Sequence, residues 1–265
     1  MYIDFHTHGK LAKKLPFSTE YTHWLFSDAE KAGLDTVCLT EHFNTLGFEE
    51  IYQYISENAE EEGDAYLFDG IRIFPGMETD IAEGGHILTI GAMDDILALN
   101  RALEPHKEKG KFLPFDELMD LFAEYPVIIG AAHPFRSGSH IPELTDKQLS
   151  RLHFIDLNGK DVAENRERTE KLSYELGKKL RIPVVCGSDT HQAVQYGCVR
   201  TKFYKDITTL KELYQQMYQK AYENDISDNA CFQVKTAVIL KRSLKEIHAL
   251  GGDYVSVLTG KGKEE

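Results

Sequence analysis

Short apolar runs recur along this chain, and most of them end on a side chain able to bind a metal ion. Residues 2–6, 36–40, 71–77, 127–132, 154–157 and 183–187 read as buried strands. Residues 87–91 read as one more, opened by Gly84-Gly85-His86. Helical spacing falls between them, over 19–32, 48–62, 115–125, 144–152 and 163–180, with Gly33 closing the first helix. The run Glu57-Asn58-Ala59-Glu60-Glu61-Glu62 reads as a solvated face of the second helix. Strands alternating with helices predict an α/β fold. Beyond His191 the pattern weakens. Residues 199–204 read as a strand, 209–223 as a helix and 243–250 as a closing helix, while 230–240 fits no period clearly. One domain is expected over 1–258, with a disordered tail at 259–265.

The residues at the strand ends carry the chemistry. They are His6 and His8, Glu41-His42, Glu78, His86, His133, and Asp189 with His191. A strand repeats every two residues, so His6 and His8 share one face, as do Asp189 and His191. Ligands delivered from the carboxyl ends of several strands imply a barrel-like α/β enzyme with a polynuclear metal centre. His86 precedes its strand, so a local excursion of the backbone through the two glycines is expected there.

The chain has 265 residues, 42% of them hydrophobic, which is enough for a core. No apolar run approaches the ~18 residues of a membrane span. The start, Met1-Tyr2-Ile3-Asp4-Phe5-His6, reads as a strand and not as a signal peptide, so a cytoplasmic protein is expected. Cys38, Cys186, Cys198 and Cys231 show no C-x-x-C spacing; the first two read as reduced core residues. The net charge of −13 disfavours a long nucleic acid as partner. A small phosphorylated substrate remains compatible, because bound cations reverse the local field. No oligomeric state is assigned.

In order along the chain, the H-x-H opening, the E-H pair, the lone Glu, the G-G-H, the H-P and the closing S-D-x-H resemble the PHP (polymerase and histidinol phosphatase) family of metal-dependent phosphoesterases. The chain looks most like its stand-alone histidinol-phosphatase branch. The resemblance implies a distorted (β/α)7 barrel and two to three divalent ions, zinc, iron or manganese. It implies a first site at His6, His8, Glu78 and Asp189. A second would take Glu78, His86 and His133, and a third would draw on His42 and His191. Glu78 and Asp189 would serve catalysis through the metals. Arg136, three residues past His133, is expected to bind a phosphate oxygen. Lys160 is a second candidate of that kind.

Glu41 reads as a carboxylate orienting an imidazole, with direct ligation the alternative. Asp4 is either a supporting carboxylate or a buried one, and Asp156 could reach the second site. The segment after His8 departs from the family pattern: it is basic, and Glu20 is its first carboxylate. The third site is therefore weakened, lost, or completed by Glu20 or His23; alternatively Lys10 fills that space as a positive charge facing phosphate. The leading expectation is a phosphatase for a small monoester, such as histidinol phosphate. The competitors are a phosphodiesterase or exonuclease on short nucleotides, a metal-binding protein without turnover, and a hydrolase of carbon–nitrogen bonds.

Overall fold

The strands come first, since they place everything else. The computed structural model describes residues 1–260. In chain order the elements are β1 (Tyr2–Thr7), α1 (Thr19–Lys31), β2 (Thr36–Leu39), α2 (Phe48–Asn58), β3 (Glu60–Glu62), β4 (Ala65–Phe68), β5 (Ile71–Asp80) and β6 (His86–Ile90). There follow α3 (Met93–Ala102), α4 (Phe115–Phe122), β7 (Ile128–Ala132), α5 (Asp146–Leu149), β8 (Phe154–Asn158), α6 (Gly159–Leu180) and β9 (Val184–Gly187). The chain continues through β10 (Val199–Phe203), α7 (Leu210–Tyr218), β11 (Tyr222–Ile226), α8 (Ala230–Ala249) and α9 (Tyr254–Thr259).

Seven strands form a distorted, nearly closed α/β barrel in the order β1-β2-β5-β6-β7-β8-β9. The seam is drawn together at one end, where Asp189 N–H donates to the His6 carbonyl (2.7 Å) and His8 N–H to that of Thr190 (3.1 Å). At the other end β10 pairs antiparallel with β1, Tyr2 facing Lys202, and β11 pairs outside it. Neighbours in the ring are parallel except around β6, which runs against both β5 and β7.

Two apolar clusters fill the molecule. One lies between strands and helices, with Leu25, Phe26, Val37, Leu39, Ile51 and Ile155 among its members. The other draws Ile3 and Phe5, Cys38, Phe74, Leu88, Ile128, Phe154 and Val185 from all seven ring strands, as a barrel interior must. Gly130 is required there, because a Cβ would stand 2.2 Å from the Phe154 ring. A register irregularity in β1 between Asp4 and Thr7 shifts the side-chain parity. Phe5 can therefore join the apolar interior while His6 and His8 reach the polar site above it.

The outline departs from the sequence expectations in five places. The helix expected over 48–62 stops at Asn58, and Glu60–Glu62 becomes a charged edge strand paired with β4 across Gly63 (φ +70). The α3 helix is an addition. The helix expected over 209–223 ends at Tyr218, and Tyr222–Ile226 forms β11. The ambiguous 230–240 and the helix expected at 243–250 are one 20-residue helix, α8. Of the expected tail, Thr259 ends helix α9 and Gly260 caps it, and 261–265 lie outside the described residues.

Candidate metal centre

Glu78 lies near the end of β5, and its carboxylate is the point on which the imidazoles converge. His86 Nδ1 and His133 Nε2 lie 3.0 and 3.1 Å from Oε1. His42 Nδ1 lies 2.6 Å from Oε2, with His6 Nε2 and His8 Nε2 each at 3.6 Å. Asp189 stands across from Glu78, its Oδ1 3.2 Å from His8 Nε2 and 3.9 Å from His6 Nε2. His8 and His191 stack with parallel rings 4.1 Å apart. The His191 ring is oriented by its Nδ1, which donates to the Lys10 carbonyl (2.7 Å).

No excursion of the backbone is needed for His86, which corrects the sequence expectation. Because β6 is antiparallel, its first residue lies at the end where its neighbours finish. It faces Asp80 on β5 and Ala132 on β7. Gly84 (φ +94) and Gly85 (φ +121) make the hairpin turn instead. His133 (φ +30) and Asp189 (φ +57) hold left-handed conformations that are costly for residues with a side chain, and both sit where a strand ends. Gly187 lets β9 close on β1, since a Cβ there would meet His6 Cβ at 2.4 Å.

Among the described residues three donor triads have ligand atoms within 4.8 Å of one another: His6, His8 and Asp189; His6, Glu78 and His133; His8, His42 and His191. His6 Nε2 and Glu78 Oε2 are buried without a hydrogen-bond partner. Such atoms are expensive in a protein interior unless something satisfies them, and a divalent cation fits this donor set. Burial works against charge on Glu78, but His42, His86 and His6 outweigh it and hold the carboxyl well below its usual range. Asp189 is likewise held low, against burial, by Lys160, His6 and Arg136. Burial lowers His42 and His133 to about 4, so both present neutral, metal-competent rings.

The supporting residues divide clearly. Asp156 Oδ2 accepts from His6 Nδ1 (3.0 Å) and from the His133 N–H (3.1 Å), so it orients His6 instead of joining a triad. Glu41 accepts the backbone N–H groups of Gly9 (3.1 Å) and His42 (2.9 Å) and lies 3.6 Å from His8 Nδ1. Asp4 is fully buried, and its Oδ1 accepts from the N–H groups of His6 (3.1 Å) and Ser188 (2.9 Å). Arg136 binds three acceptors: Asp161 (2.8 Å), Asp189 Oδ2 (2.9 Å) and Asn158 (2.7 Å). Lys160 Nζ lies 2.8 Å from Asp189 Oδ1.

Three residues are not where the sequence reading put them. Lys10 is buried, with its ammonium on Thr45 Oγ1 and the Leu46 carbonyl, so it does not face the cluster. Glu20 sits in the exposed first turn of α1, where Ser18 Oγ donates to it, and His23 contacts Asp69. Neither completes the third triad, whose three donors are all imidazole. Sequence reasoning also missed three contributors. Asp80 holds His86 Nε2 at 3.0 Å, and Asn158 and Asp161 hold Arg136. Asp80 and Asn158 were findable: each lies two residues beyond a chosen carboxylate, on the same face of its strand. Lys241 on α8 gives no such signal; burial and the neighbouring Lys160 pull its ammonium down to about 8.

No family model and no curated protein sequence matches the chain. Solved structures do, 27 chains in all. PsfC from Pseudomonas syringae PB-5123 matches with a TM-score of 0.75 at 22% identity, over 92% of this chain and 98% of that one. The lesion-specific endonuclease PfuEndoQ from Pyrococcus furiosus matches with a TM-score of 0.59 at 14% identity, over 84% of this chain and 57% of that one. An Endonuclease Q complex with a 27-mer duplex carrying an abasic lesion gives 0.60 at 16% identity, over 85% and 58%. The chain thus spans little more than half of either endonuclease chain. At these identities the likeness is one of fold, and together with the ordered ligand motif it makes the fold of this chain the PHP type.

Proposed function

We propose that this protein is a metal-dependent phosphoesterase acting on a small phosphomonoester, with histidinol phosphate the first compound to try. The observation that carries this reading is Glu78: five imidazole nitrogens lie within 3.6 Å of its two oxygens. Two or three divalent ions held there, zinc, iron or manganese, would supply Lewis acidity and an activated water. The chain's own residues do the rest. Asp156 fixes the His6 ring with Nε2 toward Glu78, and Asp80 does the same for His86 through the opposite nitrogen. Arg136 spends three donors on the protein, which leaves two of a guanidinium's five N–H groups for a phosphoryl oxygen. Lys160 and Lys241 add positive charge on the same side, which favours a dianionic monoester over a diester. The overall charge of −13 disfavours long nucleic acid.

The second reading is a phosphodiesterase. The fold likeness to an endonuclease favours it. The two readings separate in one assay. Chelator-stripped protein reconstituted with zinc, manganese or iron is given p-nitrophenyl phosphate, its bis-ester and a single-stranded oligonucleotide. Faster turnover of the monoester supports the first reading. Preference for the bis-ester or the oligonucleotide overturns it in favour of the second. No hydrolysis with any metal points to a binding protein without turnover.

A further inference from the structure

The helix that follows Asn158 is broken, and the break opens a cavity beside the metal centre. Asn165 leaves helical geometry (φ −155, ψ +90), and its side chain caps the resumed helix by accepting the Arg168 N–H at 3.0 Å. Glu164 and Arg168 straddle this break. At four residues apart, acid first, they would form a favourable pair on an unbroken helix. One such pair does form just downstream, Arg166 with Glu170 at 3.2 Å. Among the described residues the side chains of Glu164 and Arg168 make no ion pair, and both line a cavity of about 550 Å³. Its inner wall is Arg136, which contacts Asp189 Oδ2 at 2.9 Å. Asp161, its other inner charge, is already neutralised by Arg136 at 2.8 Å. Ser137, Asn165 and the Phe135 ring supply neutral lining. The volume suits a small molecule.

The charges left over in this cavity are therefore one carboxylate and one guanidinium, one side chain away from a proposed metal ligand. Resting on the phosphoesterase reading above, we infer that this cavity receives the leaving group, and that its unpaired Glu164 and Arg168 select an alcohol carrying both an ammonium and a carboxylate. The substrate class is then a phosphomonoester of a hydroxy amino acid; histidinol phosphate, with an ammonium and no carboxylate, meets only the Glu164 half. Glu164 meets the ammonium and Arg168 the carboxylate, while the phosphoryl group lies toward Asp189 beyond Arg136.

The test compares kcat/KM of the metal-reconstituted enzyme for four monoesters. These are O-phosphoserine, phosphoethanolamine (ammonium only), 3-phosphoglycerate (carboxylate only) and p-nitrophenyl phosphate. O-Phosphoserine should exceed each one-charge analogue by roughly two- to fivefold, the scale of one exposed ion pair. Arg168→Gln should erase the preference over phosphoethanolamine but keep that over 3-phosphoglycerate, and Glu164→Gln should do the reverse. Hydrolysis of p-nitrophenyl phosphate without any preference for O-phosphoserine overturns this inference alone. So does a preference that both variants leave intact. Failure to hydrolyse any of the four overturns the monoester reading and the inference with it.

Discussion

The two sides of His8 are built differently. Toward Glu78 and Asp189 the cluster contains carboxylates, and several of its groups are held by a further layer: Asp156 behind His6, Asp80 behind His86, Arg136 and Lys160 on Asp189. Toward His42 and His191 the triad itself is all imidazole; Glu78 Oε2, 2.6 Å from His42 Nδ1, and Glu41 Oε1, 3.6 Å from His8 Nδ1, lie outside it, and Lys10 turns away into Thr45 and Leu46. Negative ligands hold a dication by charge as well as by lone pairs. An all-imidazole triad has only lone pairs, so its hold depends on a metal that favours nitrogen. From this difference we propose two tight sites and one weak one.

The sharpest way to break that comparison is Glu78→Gln, which removes the charge on which five imidazoles converge. We expect loss of both tightly bound ions and a fall in activity of at least about a thousandfold, read by elemental analysis beside turnover. Retention of two ions would remove Glu78 from its central place. The next effect is on stability. Burial raises the Asp4 carboxyl to about 7 from an ordinary 3.8. Between these values the folded state keeps a proton that the unfolded chain has lost, so Asp4 makes stability fall as pH rises from about 4 to 7. In chelator-treated protein Asp4→Asn should flatten that decline by a few kcal/mol. Parallel denaturant titrations across the window measure it, and identical slopes would refute it.

Asp156→Ala tests the outer layer on the tight side. Freed from its carboxylate, His6 should lose orientation, with a cost of about 10- to 100-fold in metal affinity, measured by competition with a chelator. An unchanged affinity would make Asp156 a bystander. The smallest effect is expected from His42→Ala, which should cost at most one ion per chain and about tenfold in rate. That rate factor is one transition-state increment of roughly 1.4 kcal/mol. A loss equal to that of Glu78→Gln would mean that the two sides are energetically one.

The strand-end positions of the candidate ligands were legible because a strand's two-residue period and its abrupt apolar stop are local features. His6, His8, Glu78, His133 and Asp189 all lie where that pattern places them. The direction of β6 was not legible. Nothing in residues 84–90 states whether the strand runs with or against its neighbours, and His86 looked exceptional only because a parallel ring was assumed. The α8 helix was legible in its second half only, and residues 230–240 fitted no period clearly. Ala230, Val234, Ala237 and Leu244 recur on one helical face, while Val238 and Ile239 stay exposed and blurred the period. The fates of Lys10 and Lys241 were out of reach, because which way a long side chain turns depends on elements far away in sequence.

The closing of the barrel seam has a consequence for how the protein is made. His8 and Asp189 meet across 181 positions of sequence. At ribosomal rates of roughly 5–20 residues per second, the first ligands wait on the order of ten seconds or more for the last. During that interval the β1 edge that meets β9 is unpaired, and the two triads that need Asp189 or His191 are incomplete. Long-range pairing of this kind is slow to form, and an ion that binds only the closed ring pulls the equilibrium toward closure by mass action. The metal supply at the moment of synthesis would then help decide how much of the newly made chain closes its ring.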